Sequence, residues 1–174
     1  TRRSSDLGIA VGPERIVETA RKLGITSPLL PVPSVSLGAF ELTMLEAARA
    51  YAALAAAGTL PVLRSYTAVV HADGRVLEER TGVAVRVFDP AEVYLVTSAL
   101  EGVVDRGTGA SLRELGFRGD IAGKTGTSSD FRDAWFIGYT PDIVIAVWVG
   151  FDDGESVRVT GSVASLPIFA DVLE

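Results

Sequence analysis

Apolar positions repeat with a helical period in three stretches of this chain. Ile16, Val17, Ala20 and Leu23 share one face, with Gly12-Pro13 as a helix start and Gly24 as a stop. The spacing predicts a helix over 13–23. Leu42, Leu45, Ala48, Ala52 and Ala55 form a second face behind Thr43 and Glu46, a capping-box pair, and Gly58 ends it. Its many alanines permit close approach to a neighbour and predict a buried helix. Asp89-Pro90-x-Glu92 opens the third, where Val93, Val96, Leu100, Val103 and Val104 keep the period to about Asp105. Residues 1–12 turn from polar to apolar with Gly8 and Gly12 interrupting, and no element is assigned to them. Residues 26–38 hold three prolines and three serines and predict an irregular loop.

Elsewhere the pattern is that of strands. Residues 63–70 are rich in β-branched and aromatic side chains, Asp73-Gly74 is a hairpin turn signal, and 75–79 returns as a second strand. Further on come 121–127, 134–139 and 143–150. The last is a nearly unbroken apolar run that predicts burial on both faces. The short Thr140-Pro141-Asp142 link predicts antiparallel neighbours. Arg106-Gly107-Thr108-Gly109 reads as a polar turn, with backbone lining of a site as the less favoured reading. Residues 111–115 suit one helical turn and 128–133 a polar loop. Residues 152–162 are polar, and 163–174 predict a closing helix with Pro167 near its first turn. Helices, then an antiparallel sheet, then a last helix make an α+β domain with helices packed on the sheet.

Composition narrows the chemistry. The chain has 174 residues, 48% hydrophobic and 22% charged, enough for one domain with a sizeable core. A net charge of −6 argues against nucleic acid as a partner. There is no cysteine, so disulfides and thiolate metal sites are excluded. The one histidine, His71, cannot alone build a metal cluster or a Ser-His-Asp triad, and beside the turn it reads as a surface residue. No metal and no cofactor is expected. No apolar run reaches the roughly 18 residues of a spanning helix. The chain opens Thr1-Arg2-Arg3, without Met or a signal peptide, which suggests a fragment.

The densest candidate chemistry is Ile121-Ala122-Gly123-Lys124-Thr125-Gly126-Thr127-Ser128, which holds one of only two lysines. A phosphate-binding loop needs a glycine five positions before Gly123, and Arg118 stands there. The other lysine-threonine-glycine chemistry is the K-T-G strand of penicillin-binding proteins and serine β-lactamases. On such a strand Lys124 would set a cation beside a nucleophile. Thr125 and Thr127 would share a face by the period of two, with hydroxyls for a substrate carboxylate. Gly126 would leave the strand bare for an extended substrate.

What flanks this strand makes the resemblance specific. Gly123-Lys124-Thr125-Gly126-Thr127-Ser128, Asp133-Ala134-Trp135-Phe136-Ile137-Gly138-Tyr139 and Val147-Trp148-Val149-Gly150-Phe151-Asp152-Asp153 resemble the C-terminal part of the transpeptidase domain of class A (bifunctional) penicillin-binding proteins. Upstream, Ser36-Leu37-Gly38-Ala39-Phe40-Glu41-Leu42-Thr43 resembles that family's helix entry, and Arg106-Gly107-Thr108-Gly109 its R-G-T loop. The likeness runs in order along the whole chain, as the second half of one transpeptidase domain.

The resemblance implies a serine D,D-transpeptidase that cross-links peptidoglycan stem peptides through an acyl-enzyme and is acylated by penicillin. It implies a parent anchored at the extracytoplasmic face of the bacterial membrane and carrying a glycosyltransferase domain. Stem peptides and β-lactams would be the partners. Lys124 would be catalytic; Thr125, Gly126, Thr127 and Ser128 would bind substrate, with backbone near Thr127 forming part of an oxyanion hole. Two elements of the family are absent. No serine is followed by lysine at the S-x-x-K spacing, because Lys22 is preceded there by Thr19. An S-x-N element is missing too, since the chain has no asparagine. The chain alone is therefore expected to be inactive. A non-catalytic binding or scaffold module of the same fold stays open.

Overall fold

The computed structural model describes residues 2–174, and side chains from residue 6 onward; Thr1 lies outside them. Among the described residues, six α-helices and seven strands follow one another as α1 (Arg2–Val11), α2 (Pro13–Lys22), α3 (Met44–Ala55), β1 (Thr59–Leu60), β2 (Ala68–Val70), β3 (Val76–Glu79), β4 (Val85–Arg86), α4 (Pro90–Arg106), α5 (Ser111–Glu114), β5 (Ala122–Thr127), β6 (Asp133–Tyr139), β7 (Val144–Gly150) and α6 (Gly161–Leu173). The α+β architecture is as the pattern predicts.

The main sheet is antiparallel in the order β5-β6-β7. In register, Thr125 faces Phe136 and Phe136 faces Val147, while Gly138 faces Ile145. Alternation puts these residues on one side of the sheet, and α6 covers that side. Phe136 and Phe169 meet edge to face, ring centres 4.7 Å apart, inside a core with Val104, Leu112, Ile121, Ile145, Val147, Leu166 and Ala170. Such a pair adds about 0.5–1.5 kcal/mol beyond area burial. The opposite side carries Tyr139, which packs edge-on against Tyr51 of α3 and hydrogen-bonds Thr97 of α4. Helix α4 packs against β5, the strand with the lysine, and β6 pairs with it.

Helix starts follow local chemistry. Thr43 caps α3 and accepts from the Glu46 N–H, while the Glu46 carboxylate returns to the Thr43 N–H, the full capping box. Asp89 caps α4 through the Ala91 N–H, ahead of Pro90. Gly12 sits at φ 96° before α2, a conformation glycine adopts without penalty.

Several expectations are corrected. Residues 2–11 form a helix: Gly8 is seated against Ser36 in the following turn, so this glycine serves close contact rather than interruption. The loop over 26–38 contains a 3-10 turn, Pro33–Leu37, which begins at a proline and ends at Gly38 in the left-handed region. Helix α3 is not buried throughout: Ala53 is its one fully buried residue, and Leu45 is 65% exposed. The sheet is not single, because β2-β3 and β1-β4 form separate two-stranded ladders. Of the predicted 63–70 strand only Ala68–Val70 is paired, with a register irregularity at Val69/Val70. Strand β7 is fully buried only at Ile145 and Val147, and the alternate positions are half-buried. Pro167 lies in the middle of α6 rather than in its first turn. There it withholds an N–H from the helix ladder. No helix among the described residues is long and apolar enough to cross a membrane.

Candidate active site

Strand β5 carries Ala122-Gly123-Lys124-Thr125-Gly126-Thr127 and is an edge strand of its sheet. An edge offers backbone N–H and C=O groups to an extended partner. Glycines let this strand sit close to its neighbours. A Cβ at Gly123 would stand 2.9 Å from the Phe136 ring and 3.0 Å from the Ile137 carbonyl. At Gly126 it would stand 3.1 Å from the Trp135 Cβ. Gly126 thus meets a packing requirement that sequence reasoning did not see.

The polar groups of the strand are each held. Lys124 is exposed, and its ammonium donates to the Thr125 carbonyl at 2.7 Å, with the Thr125 hydroxyl at 3.4 Å. Partial desolvation of the ammonium lowers its pKa below the usual lysine value. Thr125 Oγ1 lies 2.7 Å from Thr108 Oγ1 in the turn after α4. Thr127 Oγ1 accepts the Gly161 N–H at the start of α6, at 3.2 Å. The Ser128 hydroxyl accepts the Asp133 N–H at 2.7 Å, while the Ser128 N–H donates to the Asp133 carbonyl, so Ser128 closes the β5-β6 connection.

Lys124, Thr125 and Thr127 are therefore grouped on one strand, and the two threonines share a face. Ser128 is directed to the turn. Among the described residues no serine hydroxyl is hydrogen-bonded to Lys124, and no group of three or more His, Cys, Asp or Glu is placed to hold a metal ion. His71 is exposed, as expected of a surface residue. Thr108 is the residue the sequence reading passed over by favouring a plain turn. The glycines on either side of it were the available signal.

The loop beyond β5 is unusual. Asp130 and Phe131 have φ of 60° and 54°, rare for residues with side chains. The Ser156 hydroxyl donates to the Asp130 carbonyl at 2.6 Å, and the Val157 N–H to the Phe131 carbonyl at 2.8 Å, which hold the turn in place. A cavity of about 370 Å³ lies at the other end of the strand, between Leu54, Pro90, Val93, Thr97, Ala122 and Tyr139. It does not include Lys124, and its Thr97 and Tyr139 hydroxyls are satisfied by each other.

With this geometry in view, residues 10–174 match the family described as penicillin binding protein transpeptidase domain. The chain belongs to that family. Curated relatives include penicillin-binding protein 1B of Vibrio cholerae, 34% identical over 97% of this chain, and penicillin-binding protein 1A of Aquifex aeolicus, 37% identical over 94% of it. The chain spans 22% of the length of each of these relatives. They are the class A proteins to which the sequence motifs pointed. Among solved structures, penicillin-binding protein 1A of Haemophilus influenzae superposes with a TM-score of 0.87 over 98% of this chain and 32% of that one, at 22% identity, and shows the fold. PonA1 of Mycobacterium tuberculosis, solved in complex with penicillin V, is 30% identical with a TM-score of 0.70 over 88% of this chain and 46% of that one.

Proposed function

We propose that this chain is the part of a serine D,D-transpeptidase domain that presents the K-T-G strand, in a parent protein that cross-links peptidoglycan stem peptides. The observation that carries the reading is the Lys124–Thr125–Thr108 cluster on the edge strand β5 in a member of the penicillin-binding transpeptidase family. In the reaction a serine hydroxyl attacks the carbonyl of the penultimate D-alanine, the terminal D-alanine leaves, and an amine of a second stem peptide displaces the serine. A β-lactam acylates the same serine. That serine is not on this chain, so the chain alone does not acylate and depends on a segment bearing S-x-x-K and S-x-N.

Each side chain has a task in that scheme. The Lys124 ammonium is anchored by the Thr125 carbonyl and, at longer range, the Thr125 hydroxyl, and keeps a further N–H donor for the serine oxygen or the incoming substrate. Its lowered pKa reduces the cost of passing a proton within the site. The hydroxyls of Thr125 and Thr127 donate to the substrate carboxylate; Thr127 can do so because its engaged role at Gly161 is that of acceptor. The side of β5 that no strand of the sheet occupies pairs with the extended peptide, and an N–H near Thr127 contributes to the oxyanion hole. The substrate places the site on the extracytoplasmic side of the membrane, and the class A relatives support a glycosyltransferase domain in the parent.

The test is Lys124→Ala in the parent protein, read by covalent labelling with a fluorescent penicillin. The expected result is loss of labelling with an unchanged melting temperature. Unchanged labelling removes Lys124 from the mechanism. A parent that carries no S-x-x-K and is never labelled leaves a scaffold module as the function.

A further inference from the structure

The turn after α4 is built to deliver one hydroxyl to the lysine strand. The N–H groups of Gly107 and Gly109 both donate to the Val103 carbonyl, each at 3.0 Å, which folds the chain tightly over the end of the helix. A Cβ at Gly107 would lie 2.9 Å from the Val103 backbone, so this path is open to glycine alone. Thr108 stands between the two glycines, exposed, with its Oγ1 2.7 Å from Thr125 Oγ1. Thr125 Oγ1 is in turn 3.4 Å from the Lys124 ammonium.

Counting protons gives this contact a consequence. Each hydroxyl has one proton to donate. One of the two protons is used in the bond between Thr108 and Thr125, so the pair retains a single free O–H. Lys124 can only donate, and its ammonium approaches the Thr125 oxygen. We propose that Thr108 is a positioning residue for substrate-carboxylate recognition: by donating to Thr125 it occupies that oxygen as acceptor and turns the Thr125 O–H outward. This rests on the transpeptidase reading above. The ligand group is the free carboxylate borne both by a D-alanine-terminated peptide and by a penicillin. Without Thr108, the Thr125 hydroxyl rotates freely and loses its preset direction.

The experiment uses the parent protein and two probes, benzylpenicillin and its methyl ester, in which the carboxylate is blocked. For Thr108→Val the second-order acylation constant for benzylpenicillin falls about tenfold, the scale of one hydrogen bond to a charged group. The fall resides in the binding constant rather than the limiting acylation rate. The methyl ester reacts as with the unmodified protein, Thr108→Ser restores the benzylpenicillin value, and the melting temperature does not move. An unchanged benzylpenicillin constant in Thr108→Val overturns the proposal. So does an equal fall for acid and ester, which would mark a structural role, or a failure of serine to rescue. If the unmodified parent is not acylated by benzylpenicillin, it is the transpeptidase reading that fails, and the proposal with it.

Discussion

Gly161 is where helix α6 meets the sheet beneath the lysine strand, and one added methyl group there tests how rigidly the site is supported. A Cβ at Gly161 would stand 2.1 Å from the Trp135 carbonyl oxygen and 2.6 Å from that of Gly126. Both obstacles are backbone atoms of paired strands, so no side-chain rotation relieves them. Helix α6 must retreat by about 1 Å at its first turn, a forced repacking that costs about 1–3 kcal/mol. The retreat also stretches the bond from the Gly161 N–H to Thr127 Oγ1, worth about 1 kcal/mol. Some gain comes back, since alanine favours helix over glycine by about 1 kcal/mol in a helix interior. The net expectation for Gly161→Ala is a loss of about 1–3 kcal/mol, a fall of roughly 2–10 °C in the melting temperature of the transpeptidase domain. The assay is calorimetry of the parent protein, paired with penicillin labelling. Labelling slows as well, because Thr127 loses its anchor. Val163→Ala, on the same helix but 62% exposed, serves as a control and stays within about 0.5 kcal/mol. A Gly161→Ala protein as stable and as reactive as the unmodified one would refute the reasoning: it would mean that the helix is free to shift and the strand does not depend on it.

Two further outcomes follow from titratable groups. The Glu46 carboxylate accepts from the hydroxyls of Ser27 and Thr26 and from the N–H groups of Thr26, Ser27 and Thr43, and these bonds, Ser27 and Thr26 foremost, hold its pKa far below the model-peptide value of 4.5. A depressed carboxylate stabilises the fold fully above the unfolded pKa and loses that contribution as pH falls toward the folded one. The urea midpoint of Glu46→Gln therefore lies below that of the unmodified protein at pH 7, and the gap narrows below about pH 4.5; a gap independent of pH would refute the ionic role. Burial, with a smaller contribution from Tyr139, pushes the Tyr51 hydroxyl up to about 12. Its folded pKa is raised, so the protonated phenol stabilises the fold below the unfolded value of 10.0, and this is lost as pH rises toward 12. In an alkaline titration followed by tyrosinate absorbance, Tyr51→Phe removes a late component rather than an early one, and loss of an early component would show the ring to be solvated.

The sequence by itself determined the main helices, the main sheet and the family. Capping residues at Thr43 and Asp89 set two helix starts because their partners lie within three residues. Strand-like apolar segments and a short connection in 121–150 located the three main strands to within a residue or so of each end, since both are local properties. Tertiary structure decided what depends on distant contacts. Gly8 stands in a helix where Ser36 leaves no room for a Cβ, and Pro167 is held mid-helix by the packing of α6 on the core. Helix α3 has an apolar pattern that allowed burial, yet only Ala53 is fully covered, because coverage depends on what else packs there. At the site, the order of lysine and threonines along the strand was legible as a motif. Their partners were not: Thr108 reaches Thr125 across 17 positions, and Gly161 reaches Thr127 across 34. Such contacts leave no period in the sequence, because they arise only when the turn after α4 and the start of α6 are folded onto the same strand.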